Sequence, residues 1–399
     1  MRRFPALEGL PPYVFAEINR LKAAAAAAGQ DILDLGMGNP DLQPPRVVLE
    51  ALSEAVERED AHRYSDSRGI LELRQAKARY YERRFGVKLD PETEIIATLG
   101  SKEGFATLAR TITAPGDTAL VPAPCYPIHA FAFIMASGAV TGLPAHPGDE
   151  LLRAAEEAIR MAPRKPIAMV LNYPSNPLTV TADIEFYREA VAFAKKHDIL
   201  LLSDLAYSEI YFGDTPPPSI FEVEGAKDIA VEFTSMSKTF SMAGWRLGFA
   251  AGAPHVIGAM AKVKSYLDYG GFEPMQHAAI RALDHSESAG ADVRARYESR
   301  RDALIAGFAD AGVDVPAPDA TMFVWMPLPE DFEGGSVAFA EHALKTVGVA
   351  VSPGVGFGPS GEDHMRLALI ADEDRLREAA GRLAGLYPAA AKPRIVSNG

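Results

Sequence analysis

The residues of this chain best suited to chemistry lie between Ile229 and Phe249, in IAVEFTSMSKTFSMAGWRLGF. Ile229–Thr234 is a short apolar and β-branched run, the pattern of a buried strand. Ser235, Ser237, Lys238 and Ser241 come directly after it, followed by Gly244 and Arg246. Small hydroxyls and an arginine can hold a phosphate dianion through charge-assisted hydrogen bonds. A lysine among them can condense with an aldehyde on the same ligand. In isolation, however, a lysine is more often a solvated charge and a loop arginine the partner of a carboxylate. Ser235-Met-Ser-Lys238 also fits the S-x-x-K pattern of serine acylases, although neither S-D-N nor K-T-G occurs in the chain. The phosphorylated-aldehyde reading depends on whether the rest of such a site is present elsewhere.

The elements that would position these residues alternate. Strand-like runs occupy Ile95–Leu99, Ala119–Pro122, Ile167–Asn172, Ile199–Ser203 and Ile229–Thr234. Most are apolar throughout, as expected for strands covered on both faces of a parallel sheet. Between them, Phe105, Leu108, Ala109 and Ile112, and likewise Tyr187, Ala190, Val191 and Ala194, recur at helical spacing. This order predicts a doubly wound α/β domain, in which ligands sit beyond the carboxyl ends of the strands.

Each strand end offers something to a ligand. Gly100-Ser101-Lys102 opens a helix whose free N–H groups suit an anion, although Ser101 is equally an ordinary helix cap. Tyr126 offers an aromatic face, where a core position is the plainer reading. Asn176 presents a neutral donor from a turn held by two X-Pro bonds. Asp204, with Tyr207 nearby, ends an apolar strand, where a carboxylate is costly unless paired. A pyridinium N–H is one such partner, and a cap on the next helix is the plain alternative. Together with Lys238 these groups match the needs of pyridoxal 5′-phosphate (PLP), whose protonated ring acts as an electron sink.

The flanking regions have a different texture. An arm from Pro5 leads into an alanine-rich helix ending at Gly29; Ile32–Leu35 then opens into the turn-rich Gly36-Met-Gly38-Asn39-Pro40-Asp41. Helices are expected at Val47–Val56 and Ile70–Phe85, separated by the polar loop HRYSDSRG. After Gly252 come helical stretches at Val256–Leu267 and His277–Phe308. Strand-like Met322–Met326, Val349–Val351 and Met365–Leu369 follow, with helices at Val337–Thr346 and Glu373–Leu386. The layout predicts an arm and the start of a small domain over 1–45, a large α/β domain over 46–285 and a small α+β domain over 286–399. The tail after Pro388 reads as frayed. Gly354-Val-Gly356-Phe-Gly358 has a superficial likeness to a dinucleotide motif but precedes a strand instead of joining strand to helix, so that reading fails.

With 53 acidic and 40 basic residues, the net charge of −13 argues against nucleic acid and anionic membranes as partners. The single cysteine, Cys125, excludes an intramolecular disulfide and fits a reducing cytoplasm. Neither a signal-peptide core nor a run long enough to span a bilayer is visible. The nine histidines lack metal-ligand spacing, and none is given a catalytic role.

Gly36-x-Gly38-Asn39-Pro40, Tyr64-Ser-x-Ser-x-Gly69, Asn172-Tyr-Pro-Ser-Asn176-Pro, Asp204-x-x-Tyr207, Ser235-x-Ser-Lys238, Gly244-Trp-Arg246-x-Gly248 and Arg366 follow one another across almost the whole chain. In this order the chain resembles the class I aminotransferases of the PLP-dependent fold type I family. The resemblance implies that Lys238 carries the cofactor and then shuttles a proton between the substrate Cα and cofactor C4′. It implies that Asp204 pairs with the ring nitrogen, Asn176 and Tyr207 with the ring oxygen, and that Tyr126 stacks on the ring. Ser101, Lys102 (through its backbone), Ser235, Ser237 and Arg246 would hold the phosphate. Tyr64 would reach the phosphate of a neighbouring subunit, which implies a homodimer. Arg366 would clamp the substrate α-carboxylate, helped by Asn176 and the backbone at Gly38. LPPYVF, HRYSDSRGI and PAPCYPIH are most similar to the bacterial glutamate–pyruvate (alanine) branch. Aspartate and LL-diaminopimelate aminotransferases, and fold-related C–S lyases, share most of these residues. A regulator bearing an N-terminal DNA-binding domain is disfavoured, because only about 30 residues precede the first motif.

Overall fold

The computed structural model describes residues 14–388 together with Leu10. The N-terminal arm before residue 14 and the tail beyond 388 lie outside the described residues. Twelve strands are seen among the described residues: β1 (Leu33–Asp34), β2 (Ile95–Thr98), β3 (Thr118–Ala123), β4 (Ala139–Pro144), β5 (Ala168–Asn172), β6 (Leu200–Asp204), β7 (Ala230–Ser235), β8 (Gly248–Gly252), β9 (Phe323–Pro327), β10 (Val349–Ala350), β11 (Ser352–Pro353) and β12 (His364–Ala368). Seven of them form a central sheet in the order β2-β8-β7-β6-β5-β3-β4, and β8 alone runs antiparallel to its neighbours.

The apolar runs behave as the two-faced covering requires. On β5, Met169 and Leu171 enter the core on one face of the sheet, and Ala168 and Val170 enter the core on the other. Two strands of the central sheet were not expected from the sequence. β8 is GFAAG, whose glycines weaken any strand signal, yet both are needed for close approach. A Cβ at Gly248 would meet the Ser101 nitrogen at 2.5 Å, and one at Gly252 would meet the Ala230 carbonyl at 2.1 Å. β4 is a largely exposed edge strand carrying Gly142 and Pro144. The expected single helix over His277–Phe308 is two, Glu273–Asp284 and Ser286–Asp310, because the backbone leaves helical geometry at His285.

A separate core surrounds the antiparallel sheet β11-β12-β9, and it also takes in Ile18, Leu33 and Leu35 from the start of the chain. β1 pairs in parallel with β10, and Ala368 donates its N–H to the Leu35 carbonyl at 2.8 Å. The Gly36–Asp41 turn is thereby fastened to C-terminal strands. From the helix Ser286–Asp310, Arg300 donates two 2.7 Å hydrogen bonds to Asp41, which hold the far end of that turn.

Beneath the sheet, Glu232 of β7 is fully buried. It accepts hydrogen bonds from the Tyr81 hydroxyl (2.9 Å), the Ser203 hydroxyl (3.2 Å), the Ser219 hydroxyl (2.7 Å) and the Ile220 N–H (3.1 Å). Burial raises the pKa of Glu232, opposed by these bonds. Nearby, the Lys77 ammonium lies 4.1 Å from the Tyr80 ring centroid, and burial pushes it down to about 7. Glu232→Ala should lower stability by about 3–5 kcal/mol, because four buried donors lose their acceptor. Glu232→Gln, which keeps an acceptor oxygen, should cost clearly less. Urea unfolding of the two variants checks this, and equal losses would contradict it.

Candidate active site

The register of the central sheet sets out the site. Asn172 on β5 pairs with Asp204 on β6, so both side chains arrive at the same carboxyl edge, one strand away from the end of β7 at Ser235. There a cavity of about 380 Å³ is lined by Gly38, Ser101, Lys102, Tyr126, Asn176, Asp204, Tyr207, Ser235, Ser237, Lys238, Arg246 and Arg366, among others. Every site residue expected from the sequence is in that lining except Tyr64. Tyr64 is 86% exposed on the surface, its ring 4.7 Å from that of Tyr269.

Asp204 is buried and firmly oriented. Its Oδ2 accepts from His129 Nε2 at 2.8 Å and its Oδ1 from the Ala206 N–H at 3.2 Å. Because the carboxylate can only accept, the imidazole proton sits on Nε2. Asp204 caps no helix; a turn follows it. His129 is fully buried and its own N–H donates to the Tyr126 carbonyl, so one residue supports both Asp204 and the Tyr126 segment. Having left every histidine without a role, sequence reasoning missed this one; its only signal was its place in PAPCYPIH, three residues after Tyr126.

Lys238 extends from the single turn Met236–Thr239, which is capped by Ser235 accepting from the Ser237 N–H at 3.1 Å. Its Nζ donates to the Gly38 carbonyl at 3.0 Å and lies 5.9 Å from the Tyr207 ring centroid. Burial, then the charges of Arg366 and Arg246, push its amine down to about 7. Burial also raises the Tyr207 hydroxyl, which stays protonated and able to donate.

Arg366 reaches the cavity from β12. Its Nη1 donates to Asn176 Oδ1 at 2.8 Å, which leaves the amide's NH₂ end for a ligand. Asn176 is itself held, its N–H donating to Asn172 Oδ1 at 3.0 Å, and Asn172 Nδ2 donates to the Asp204 carbonyl at 3.0 Å. The guanidinium lies 3.9 Å from the Phe323 ring centroid and 4.6 Å from that of Phe357. A Cβ at Gly38 would meet Phe323 at 2.4 Å, so only glycine lets this turn lie against the ring. Asn172 opens one of the family motifs but is given no role there, and Phe323 and Phe357 carry no chemical signal in the sequence, the one lying on an apolar strand and the other in the discarded glycine motif.

The donor set fits PLP. The helix Ser101–Ile112 starts at the cavity with Gly100 as a cap lacking a side chain, so its first-turn N–H groups remain for an anion. Ser101 is thus the first helical residue and not the cap. The hydroxyls of Ser101, Ser235 and Ser237 and the guanidinium of Arg246 line the same end. Arg246 is braced by its own Nη1 donating to the Ala243 carbonyl at 2.8 Å. Four cations (Lys102, Lys238, Arg246 and Arg366) line the cavity against one carboxylate, Asp204. That charge balance suits a ligand pair carrying a phosphate and a carboxylate.

The chain matches the family model for aminotransferase class I and II over residues 30–383. It belongs to that family. The protein is therefore a PLP-dependent transaminase of fold type I, with an α/β architecture built on a mostly parallel sheet. A Rhizobium meliloti (strain 1021) protein provisionally named aminotransferase AatC is 56% identical over 95% of this chain and 94% of its own length. Glutamate-pyruvate aminotransferase AlaC of Escherichia coli (strain K12) is 44% identical, covering 98% of this chain and 97% of its own. The substrate-bound structure of BacF from Bacillus subtilis superposes with a TM-score of 0.91 at 35% identity, covering 97% of this chain and 98% of that one. Among the described residues, no helix of the transaminase is long and apolar enough to cross a membrane.

Titration of the apoprotein, followed by competitive labelling of its lysines, should give Lys238 a midpoint near pH 7. The neutral, nucleophilic amine should therefore predominate above that pH. Arg366→Met removes a repelling charge and should move the midpoint upward, toward the ordinary lysine range. A midpoint near 10 in the parent protein would contradict the desolvated setting.

Proposed function

We propose that this transaminase moves an amino group between alanine/pyruvate and glutamate/2-oxoglutarate, as a cytoplasmic homodimer with shared active sites. The observation that carries the reading is the cavity in which four cations face one carboxylate. Lys102 adds to it. Its ammonium makes no hydrogen bond or ion pair with the described residues, and it lies 5.6 Å from the Tyr126 ring centroid. A second carboxylate, such as the distal one of glutamate, would neutralise it. The similarity to AlaC supports the same substrate pair.

When bound, PLP supplies an aldehyde to accept the amino group and a ring to delocalise electrons. The chain's own residues do the remainder. Ser101, Ser235, Ser237, Arg246 and the first-turn N–H of Lys102 hold the phosphate, and Tyr126 packs on the ring. Asp204, kept in place by His129, accepts from the ring nitrogen, while Asn176 and the protonated Tyr207 donate to the ring oxygen. Arg366 takes the α-carboxylate, with Gly38 and Asn176 beside it. Lys238, with its lowered pKa, would take the substrate Cα proton and give it back at C4′ of the bound cofactor. Asp204→Ala should keep PLP but lose most of the transamination rate.

The boundaries at about residues 45 and 285 belong to the same proposal, supported by the separate core around β9, β11 and β12. Dimerisation is supported by a cluster of exposed apolar side chains: Tyr64, Tyr266, Leu267, Tyr269 and Phe272. A second copy would cover it and bring Tyr64 to the partner's phosphate.

The experiments follow from these roles. Borohydride reduction and peptide mapping should find the pyridoxyl group on Lys238, and label on another lysine would overturn the site. A half-reaction screen should rank alanine and glutamate above aspartate and LL-diaminopimelate. The latter is the substrate named for a Gloeobacter violaceus aminotransferase 41% identical over 96% of this chain and 98% of its own. Turnover of cystathionine without transamination would indicate a lyase. Tyr64→Phe should weaken PLP binding about 10- to 100-fold, the value of roughly 1.5–3 kcal/mol for one hydrogen bond to a charged group. Mixing Tyr64→Ala with Lys238→Ala subunits should restore activity, because one site of each mixed dimer then carries neither defect. No recovery despite proven exchange would place Tyr64 outside the partner's site.

A further inference from the structure

Phe357 lies inside Gly354-Val-Gly356-Phe-Gly358, a stretch without an evident role in the sequence. In the fold it ends a single helical turn, Gly354–Phe357, between β11 and β12. Three contacts converge on it. Its ring centroid is 4.6 Å from the Arg366 guanidinium carbon, and both side chains are buried. Its carbonyl accepts the Cys125 N–H at 2.9 Å, next to Tyr126 on the far wall of the cavity. Trp325 meets it edge to face at 5.8 Å and 88°, and Trp325 is stacked in turn on His364 at 5.0 Å and 3°.

The turn that carries Phe357 has almost no room to shift. A Cβ at Gly354 would meet the carbonyls of Gly361 and His364 at 2.0 and 2.4 Å and Trp325 at 2.9 Å. The ring is therefore fixed from behind by Trp325 and from the side by its own backbone, and the guanidinium rests against it. Phe323, at 3.9 Å, is the second ring on the same guanidinium. A guanidinium flanked by two aromatic rings loses water from its faces and keeps a defined plane. Its hydrogen-bonding edge is then pre-oriented, Nη1 donating to Asn176 at 2.8 Å and Nη2 to the Gly36 carbonyl and the Ser352 hydroxyl at 3.4 Å.

We propose that Phe357 is a positioning residue for substrate: by packing on Arg366 and bonding to Cys125 it sets the strength with which the cavity holds a carboxylate. This rests on the reading of Arg366 as the α-carboxylate site. The role is exerted on binding and not on proton transfer, since Phe357 offers no titratable group to the reaction.

Propionate, a carboxylate with no amino group to react, is the probe, and calorimetry on the PLP-loaded enzyme reads its Kd. Phe357→Ala should raise that Kd roughly 5- to 30-fold, the range expected for losing one desolvated cation–π contact. The KM for alanine should rise in parallel, with kcat within about twofold. Phe357→Tyr should stay near the parent value, and Phe357→Leu, which keeps bulk but has no aromatic face, should fall between Tyr and Ala. These two variants carry the test if the alanine variant does not fold. Arg366→Leu separates the two levels of the argument. If it leaves propionate binding intact, the carboxylate assignment itself fails. If it abolishes binding while Phe357→Ala leaves the Kd unchanged, or while Leu and Tyr at 357 bind alike, the role of Phe357 is overturned.

Discussion

Like charges gathered around one cavity repel, and this constraint bears on the whole site. Lys102, Lys238, Arg246 and Arg366 share one cavity with a single carboxylate. Burial is the largest cause of the displacement of Lys238 to about 7, and repulsion by the two arginines adds to it. A lysine in ordinary solvent would be almost wholly protonated near neutral pH and a poor nucleophile. Of the two arginines, Arg366 is buried and Arg246 is exposed, and both are held in place. Arg246 is hooked to the Ala243 carbonyl, and Arg366 is held by Asn176 and two rings.

The single negative charge is controlled as tightly as the positive ones. Asp204 is held on both oxygens, by His129 and by the Ala206 N–H. The hydrogen-bond chain then continues laterally, from Asp204 through Asn172 to Asn176 and on to Arg366. This chain links the group assigned to the cofactor ring with the group assigned to the substrate. A buried network of this kind fixes geometry, because each member restricts the next.

The site also joins segments far apart in sequence. Gly38 and Arg366 arrive from opposite ends of the chain, brought together by the β1–β10 pairing and the bond from Ala368 to Leu35. The Arg300–Asp41 pair secures the same turn from the long helix Ser286–Asp310. Family membership accounts for the reaction type, whereas the close relatives bear different substrate names. Discrimination among amino acids must rest on what lines the remainder of the cavity, where Lys102 is the one of the four basic side chains with no hydrogen bond or ion pair to the described residues.

The alternation of apolar strands and amphipathic helices was legible in the sequence because burial on both faces imposes a run of apolar residues. The residues following each strand could be read as ligand groups because an open parallel sheet binds at that edge. Those two regularities are local and leave a mark on neighbouring residues. The strand Gly248–Gly252 left none, since its glycines answer to backbone atoms of Ser101 and Ala230 that are distant in the chain. His129 looked like any buried histidine until β6 brought Asp204 to 2.8 Å from it. Phe323 and Phe357 read as packing residues, and only tertiary structure sets them against a guanidinium. Residue type and spacing thus determined the chemistry on offer at each strand end. Which groups support that chemistry was decided by contacts across long sequence separations, which no local pattern encodes.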